Sequence, residues 1–207
     1  MVSIAQACRS EGWPARISCV ISNRPDAPGL AAAQALDLDT EVLDHRAFGS
    51  RDAFEQALMD RIDRHQPHLV VLAGFMRILG GPFVNHYRDR LINIHPSLLP
   101  AFPGLHTHEQ VLAAGCKVHG ASVHFVTAEL DAGPLIAQAV VPVLDEDTPD
   151  SLRARVQQAE HRLYPAVVRW LATDRVRLHD GITRLLPGSQ PEGPHPASQW
   201  HGSADGH

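Results

Sequence analysis

The sequence predicts an α/β fold: a mostly parallel sheet with helices on both faces and an antiparallel C-terminal part. Three observations predict it. Short apolar runs alternate with segments of helical periodicity as far as residue 95, the pattern that parallel strands joined by helical crossovers produce. His68-Leu-Val-Val-Leu-Ala73 is apolar without alternation, as a strand covered on both faces requires. Further on, two strand-like runs are separated only by an Asp131-Ala-Gly-Pro134 turn, too short for a helical crossover, so that pair reads as antiparallel.

The elements follow in order. Met1 to Gly12 reads as a short helix, because Ile4, Ala5 and Cys8 share a face and Gly12 stops it. Ala15 to Ser22 is a buried strand ended by Asn23 and Pro25, Gly29 to Leu36 a second helix, and Thr40 to Leu43 a short strand. Arg51 to His65 is an amphipathic helix with Phe54, Leu58 and Ile62 on one stripe. Gly80 to Tyr87 is helical, and Leu91 to His95 is the next strand. Thr107 is placed to cap a helix, with Gln110 as its capping-box partner. Ala121 to Thr127 and Leu135 to Val143 are the antiparallel pair. Thr148-Pro149-Asp150 starts a helix with an N-cap, Pro at N1 and an acid in the first turn. That helix runs to about Leu171 with a kink expected at Pro165, and Val176 to His179 is a last strand.

With 207 residues and 44% hydrophobic content, the chain is long enough for one good core. Residues 1–182 read as one domain. From Pro187 onward the composition is Pro, Gly, Ser, His and Gln, which reads as a disordered tail over 187–207. A net charge of -5 gives no reason to expect nucleic acid as a partner. No apolar run approaches the length of a membrane span. Cys8, Cys19 and Cys116 are widely spaced without a Cys-x-x-Cys, so neither a disulfide framework nor a zinc ribbon is expected, and the setting reads as cytoplasmic.

The chemistry concentrates at strand ends. Asn93 and His95 close one strand pattern before Pro96, and Asp131 follows another. Ligands of open α/β sheets bind outside the carboxyl ends of the strands, where Gly74 to Leu79 also lies. An Asn amide can donate to an oxygen that becomes negative in a tetrahedral intermediate. A His can give or take a proton, and Asp131 beside it would favour the imidazolium. Acyl or formyl transfer to an amine fits these parts. Taken alone, Asn-x-His also fits a strand cap with a core histidine, and Asp before Ala-Gly-Pro also fits a plain turn. His106, His108, His119 and His124 show no i, i+4 ligand pair with an acid between, and no metal site is expected. Cys116 has no base and orienter beside it in the pattern, so it is not expected to act as a nucleophile.

Taken together, Ala73-Gly-Phe-Met-Arg-Ile-Leu79, Asn93-Ile-His-Pro-Ser-Leu-Leu-Pro100, Pro103-Gly-Leu-His-Thr-His108, Gly120 to Pro134 and Glu160-His-Arg-Leu-Tyr-Pro165 resemble the glycinamide ribonucleotide formyltransferase family over residues 1 to about 180. The resemblance implies a formyltransferase-type Rossmann-like fold that transfers formyl from 10-formyltetrahydrofolate to glycinamide ribonucleotide in purine biosynthesis, with no metal. It implies Asn93, His95 and Asp131 as catalytic residues. It implies a folate site at Arg51, Met76, Arg77, Ile78, Leu79, Asn93, Thr127, Ala128, Glu129, Leu130 and Asp131, and a nucleotide-substrate site at Gln157, Gln158, Ala159 and Glu160. A surface Arg at a helix start fits Arg51 equally well, and a solvated helix face fits Gln157 to Glu160. The partners implied are these small molecules, with the chain a monomer or homodimer. The alternatives are a 10-formyltetrahydrofolate hydrolase, with water as acceptor, a catalytically impaired folate-binding fragment, and a non-catalytic folate-binding or regulatory module.

The family pattern also places an apolar strand and a Gly-Ser-Asn turn before the residue that matches Met1. Neither is in this sequence, so the resemblance predicts a sheet without its first central strand and a site without that phosphate-holding turn. Two inner strands would then carry unpaired edges.

Overall fold

The computed structural model describes residues 1–186, and the tail expected from Pro187 lies outside the described residues. The elements are α1 (Val2–Ser10), β1 (Val20–Ser22), α2 (Pro28–Gln34), β2 (Thr40–Val42), α3 (Arg51–Arg64), β3 (Val70–Leu72), α4 (Gly81–His86), β4 (Leu91–His95), α5 (Thr107–Ala113), β5 (Val118–Phe125), β6 (Leu135–Pro142), α6 (Pro149–Ala172), β7 (Val176–His179) and β8 (Ile182–Leu185).

Three sheets form among the described residues: β1-β2, β3-β4-β5-β6 and the β7-β8 hairpin. β1 pairs parallel with β2 and β3 parallel with β4, whereas β4-β5 and β5-β6 are antiparallel. The expected alternation and its antiparallel C-terminal part are therefore present. The parallel part is divided: β1 and β3 each have one hydrogen-bonded neighbour and do not pair with each other. This division has a visible cost. The runs expected over 15–22 and 68–73 form ladders of only three residues each, and Val70, Val71 and Leu72 are half-buried rather than fully covered. Exposed backbone edges give a strand no reason to extend beyond its one partner.

β4 shows what an inner strand looks like here. Leu91 and Ile92 are fully buried on opposite faces. Leu91 packs with Phe54, Leu58, Phe83 and Tyr87 of α3 and the α4 region. Ile92 packs with Val123, Tyr164, Val167 and Trp170 on the α6 side. A third cluster joins Val111 of α5 to Ala121, Val141, Leu152 and Val156. Tyr164 ties α6 to the sheet: its buried hydroxyl lies 2.7 Å from Leu72 O and 3.2 Å from Ile92 O and donates to the nearer. Tyr164→Phe should cost about 1–2 kcal/mol, read as a lower denaturation midpoint in urea with an unchanged slope. A midpoint equal to the parent's would show that the bond contributes nothing.

α6 begins as its sequence requires: Thr148 caps Ser151 N, and Ser151 Oγ accepts from Thr148 N. It runs as one helix through the buried Pro165. The expected cap on α5 is different. Thr107 is the first helical residue, and its hydroxyl donates to Pro96 O at 2.6 Å instead of capping. The cap position belongs to His106, in the left-handed region at φ 59°, and Gln110 donates to Leu105 O at 2.7 Å. Thr107 is used to hold the loop after β4, and that tertiary bond wins over the local box. β8 was not expected, and it carries the fold beyond residue 182.

Candidate active site

Asn93 and His95 alternate with Ile92 and Ile94 on β4, so both share the face of Leu91 at the carboxyl end of an inner strand. Register sets their neighbours: Asn93 lies between Leu72 of β3 and His124 of β5, and His95 lies opposite Ser122. Ser122 is fully buried and organises the loop that follows β4. Its hydroxyl donates to Ser97 O at 2.7 Å and accepts from Leu99 N and from Gln138 Nε2. Ser97 Oγ donates to Ala101 O and Gln138 also donates to Leu99 O. This network delivers the Phe102 carbonyl to His95, whose Nε2 donates to it at 3.1 Å.

Asp131 is the other anchor. It adopts φ 52°, a left-handed conformation that Asp tolerates better than most residues. Two residues on, Gly133 passes so close to β5 that a Cβ there would sit 1.7 Å from Phe125 O. The turn therefore presses Asp131 towards β4. Its carboxylate lies 3.4 Å from His95 Nδ1 and accepts from Gly104 N at 2.9 Å. Both nitrogens of His95 thus face acceptors, and a ring with a hydrogen on each satisfies both. Phe102, His106 and Asp131 are non-glycine residues with positive φ in the two loops around His95. Such residues persist where surrounding bonds over-determine them, and they gather at active sites.

The structure adds a residue whose role spacing did not assign. His124 is buried, and its Nδ1 donates to Phe125 O at 2.9 Å. In the neutral ring that burial favours, its Nε2 is the unprotonated nitrogen. It has no hydrogen-bond partner and lies 3.9 Å from Asp131 Oδ1. Burial holds this imidazole below its ordinary value. Its place opposite Asn93 in the strand pair needs the register to be read, which spacing alone does not give.

Behind the loop, His108 Nδ1 and His119 Nε2 share a hydrogen bond of 3.1 Å. Burial, helped by the neighbouring His108 and His95, pushes His119 down to about 4. An unfolded chain takes up that proton near pH 6.5, and the folded chain refuses it until about pH 4. Stability should therefore fall as pH drops through that window, and His119→Gln should flatten part of the fall. Thermal melts across the window check this; an unchanged slope would contradict it. His119 also lines an apolar cavity of about 290 Å³ with Leu98, Phe102 and Cys116.

The other expected site residues divide. Met76 and Ile78 are 77% and 65% exposed, and Leu130 is 55% exposed, leaving apolar side chains free on the loops after β3 and β5. Arg77 lies over the Phe54 ring at 5.5 Å, and Leu79 packs into the core. Arg51 is adjacent to this loop: its Nε is 3.5 Å from Glu55 Oε1, and Glu55 accepts from Gly80 N through both oxygens. Thr127 donates to Glu129 O within its own turn, and Ala128 and Glu129 are exposed. On α6, Gln157 and Gln158 are exposed. Ala159 faces inward against Leu152 and Val156, so its side chain, expected at the substrate site, is core. Burial pushes the Glu160 carboxyl up to about 7. Beside it in sequence, His161 lines a cleft of about 400 Å³ with Ser3, Gln6, Gly29 and Ala73. Asn93, His95 and Asp131 line neither cavity.

Residues 1–168 match the family model described as formyl transferase. The chain is 50% identical over 183 residues to the phosphoribosylglycinamide formyltransferase of Escherichia coli strain K12, covering 88% of this chain and 86% of that protein. Among solved structures, the glycinamide ribonucleotide transformylase 1 of Symbiobacterium toebii superposes with a TM-score of 0.87 at 45% identity, covering 89% and 87% of the two chains. The phosphoribosylglycinamide formyltransferase of Coxiella burnetii does so with 0.84 at 50% identity, covering 89% and 86%. The chain therefore belongs to the formyl transferase family, in the branch of the phosphoribosylglycinamide formyltransferases.

Proposed function

We propose that this chain transfers the formyl group of 10-formyltetrahydrofolate to the amine of glycinamide ribonucleotide, a step of de novo purine biosynthesis in the cytoplasm. The observation that carries the reading is the Asp131 carboxylate 3.4 Å from Nδ1 of a buried His95, two residues from Asn93 on an inner strand. The amine nitrogen attacks the formyl carbon, and the carbonyl electron pair moves to oxygen. The Asn93 amide and the His95 imidazolium donate to that oxyanion. Asp131 holds the Nδ1 side of the ring, so the Nε2 hydrogen, donated to Phe102 O in this structure, is the one a substrate oxygen seated beside that carbonyl shares. The amine then loses a proton, and N10 of the folate gains one as its bond to the formyl carbon breaks. Asp131 and the Nε2 of His124, 3.9 Å apart, are the acceptors this reading assigns to that proton.

The exposed Met76, Ile78 and Leu130 side chains suit the apolar body of a folate, and the backbone of 76–79 and 127–131 suits its pterin edge. Arg51 stands beside the same loop. The exposed Gln157 and Gln158 with Glu160 form the nucleotide side of the site. Incubating the purified chain with 10-formyltetrahydrofolate and glycinamide ribonucleotide should give formylglycinamide ribonucleotide, identified by mass. Formate release at the same rate without the nucleotide would establish the hydrolase reading instead, and folate binding without either product would establish the non-catalytic one.

A further inference from the structure

Three metal-ligating side chains meet on the opposite half of the fold, on elements that carry none of the catalytic trio. Cys19 leads into β1, Glu41 is central in β2, and His65 closes α3. They stand 22 and 24 residues apart in sequence. The parallel register that sets Ile21 beside Glu41 brings them together, and one donor atom of each lies within 4.8 Å of the others. His65 Nε2 is 2.7 Å from Glu41 Oε1, and Cys19 Sγ is 4.0 Å from the same oxygen. The second oxygen, Oε2, accepts from Arg61 Nη1 at 2.7 Å. All three donors are half-buried.

We propose that Cys19, Glu41 and His65 bind a borderline divalent transition-metal ion, zinc being the type, which staples the two-stranded sheet to α3. A thiolate, an imidazole and a carboxylate are donors such an ion takes, whereas magnesium and calcium select oxygen alone. Bonds of roughly 2.0–2.3 Å in a tetrahedron hold donor atoms about 3.3–3.7 Å apart. The observed 2.7 and 4.0 Å bracket that range and the third edge lies within 4.8 Å, so the donors converge on an ion by shifts of about an ångström. On binding, the Cys19 thiol releases its proton to solvent, and His65 presents Nε2 bare with its hydrogen on Nδ1. Arg61 keeps Oε2 and orients the carboxylate, as outer-shell partners of metal sites do. Water fills the fourth position.

Cobalt(II) added to the full 207-residue chain tests the site. It should produce a thiolate-to-cobalt charge-transfer band that saturates at one equivalent per chain and is bleached by zinc. Cys19→Ser should abolish the band, Cys8→Ser and Cys116→Ser should keep it, and His65→Ala should weaken binding at least about tenfold. The histidines at 195, 201 and 207 carry no thiol and cannot mimic this signal. A second arm needs no variant: saturating zinc should protect Cys19 from iodoacetamide at least about tenfold more than Cys8 or Cys116, read by peptide mass. No band with the parent chain, a band that survives Cys19→Ser, or equal alkylation of all three cysteines would each overturn the proposal. Formyl transfer enters none of these readouts.

Discussion

His95→Asn should lower kcat for formyl transfer by about a thousandfold while leaving folate affinity within about threefold. The substitution keeps an N–H near the Phe102 carbonyl but removes the ring that spans from that carbonyl to Asp131. What is lost is the donor to the oxyanion and its paired charge, both of which matter most in the transition state. Single-turnover rates with calorimetric folate binding separate the two. Equal losses in rate and in binding would place His95 in the folate pocket as a packing residue. A rate within tenfold of the parent would remove it from the chemistry.

Gly133→Ala should be the most damaging single methyl in the described chain for the site. The added carbon would lie 1.7 Å from Phe125 O, 2.9 Å from Phe125 C and 3.2 Å from a Thr127 methyl. None of the first two can swing aside, because Phe125 N is bonded to Pro134 O across the same turn. The turn must lift, at a cost of about 3–5 kcal/mol, and Asp131 lifts with it. A displacement of even about 1 Å at such a group costs about a hundredfold in rate. Denaturation midpoints and kcat should therefore fall together. Gly49→Ala, where no atom lies within 4 Å and φ is ordinary, should change stability by less than about 0.5 kcal/mol. Gly133→Ala matching that control would mean that the turn is not held by its approach to β5.

The parts of this fold that were readable from sequence are those whose cause is local. Thr148-Pro-Asp starts α6 because cap, proline and acid act within one turn, and Asn93 and His95 end β4 because alternation and Pro96 fix them. The family motifs carried the trio further than spacing could, since nothing between residues 95 and 131 states that a carboxylate will meet an imidazole. Thr107 misled because its hydroxyl had a distant acceptor, Pro96 O, better placed than its own helix. The Ser122–Gln138 network, the bare nitrogen of His124 and the Cys19–Glu41–His65 cluster all depend on which strand lies beside which. β8 was missed because a four-residue hairpin strand, mostly exposed, leaves almost no apolar pattern to read.

The division of the parallel strands into two sheets has a consequence for how the molecule opens. β1-β2 and β3-β4 meet only through side chains: Ile21 and Leu43 share one apolar cluster with Val70, Phe54 and Leu58, but no backbone bond crosses between them. Side-chain packing alone lets a unit detach without dismantling its neighbour's hydrogen bonds. In native-state hydrogen exchange, the amides of β1 and β2 should therefore exchange through a low-energy sub-global opening. Those of β4 and β5, locked on both sides, should exchange only with global unfolding. Deuterium would then mark a chain whose catalytic half outlasts its N-terminal half.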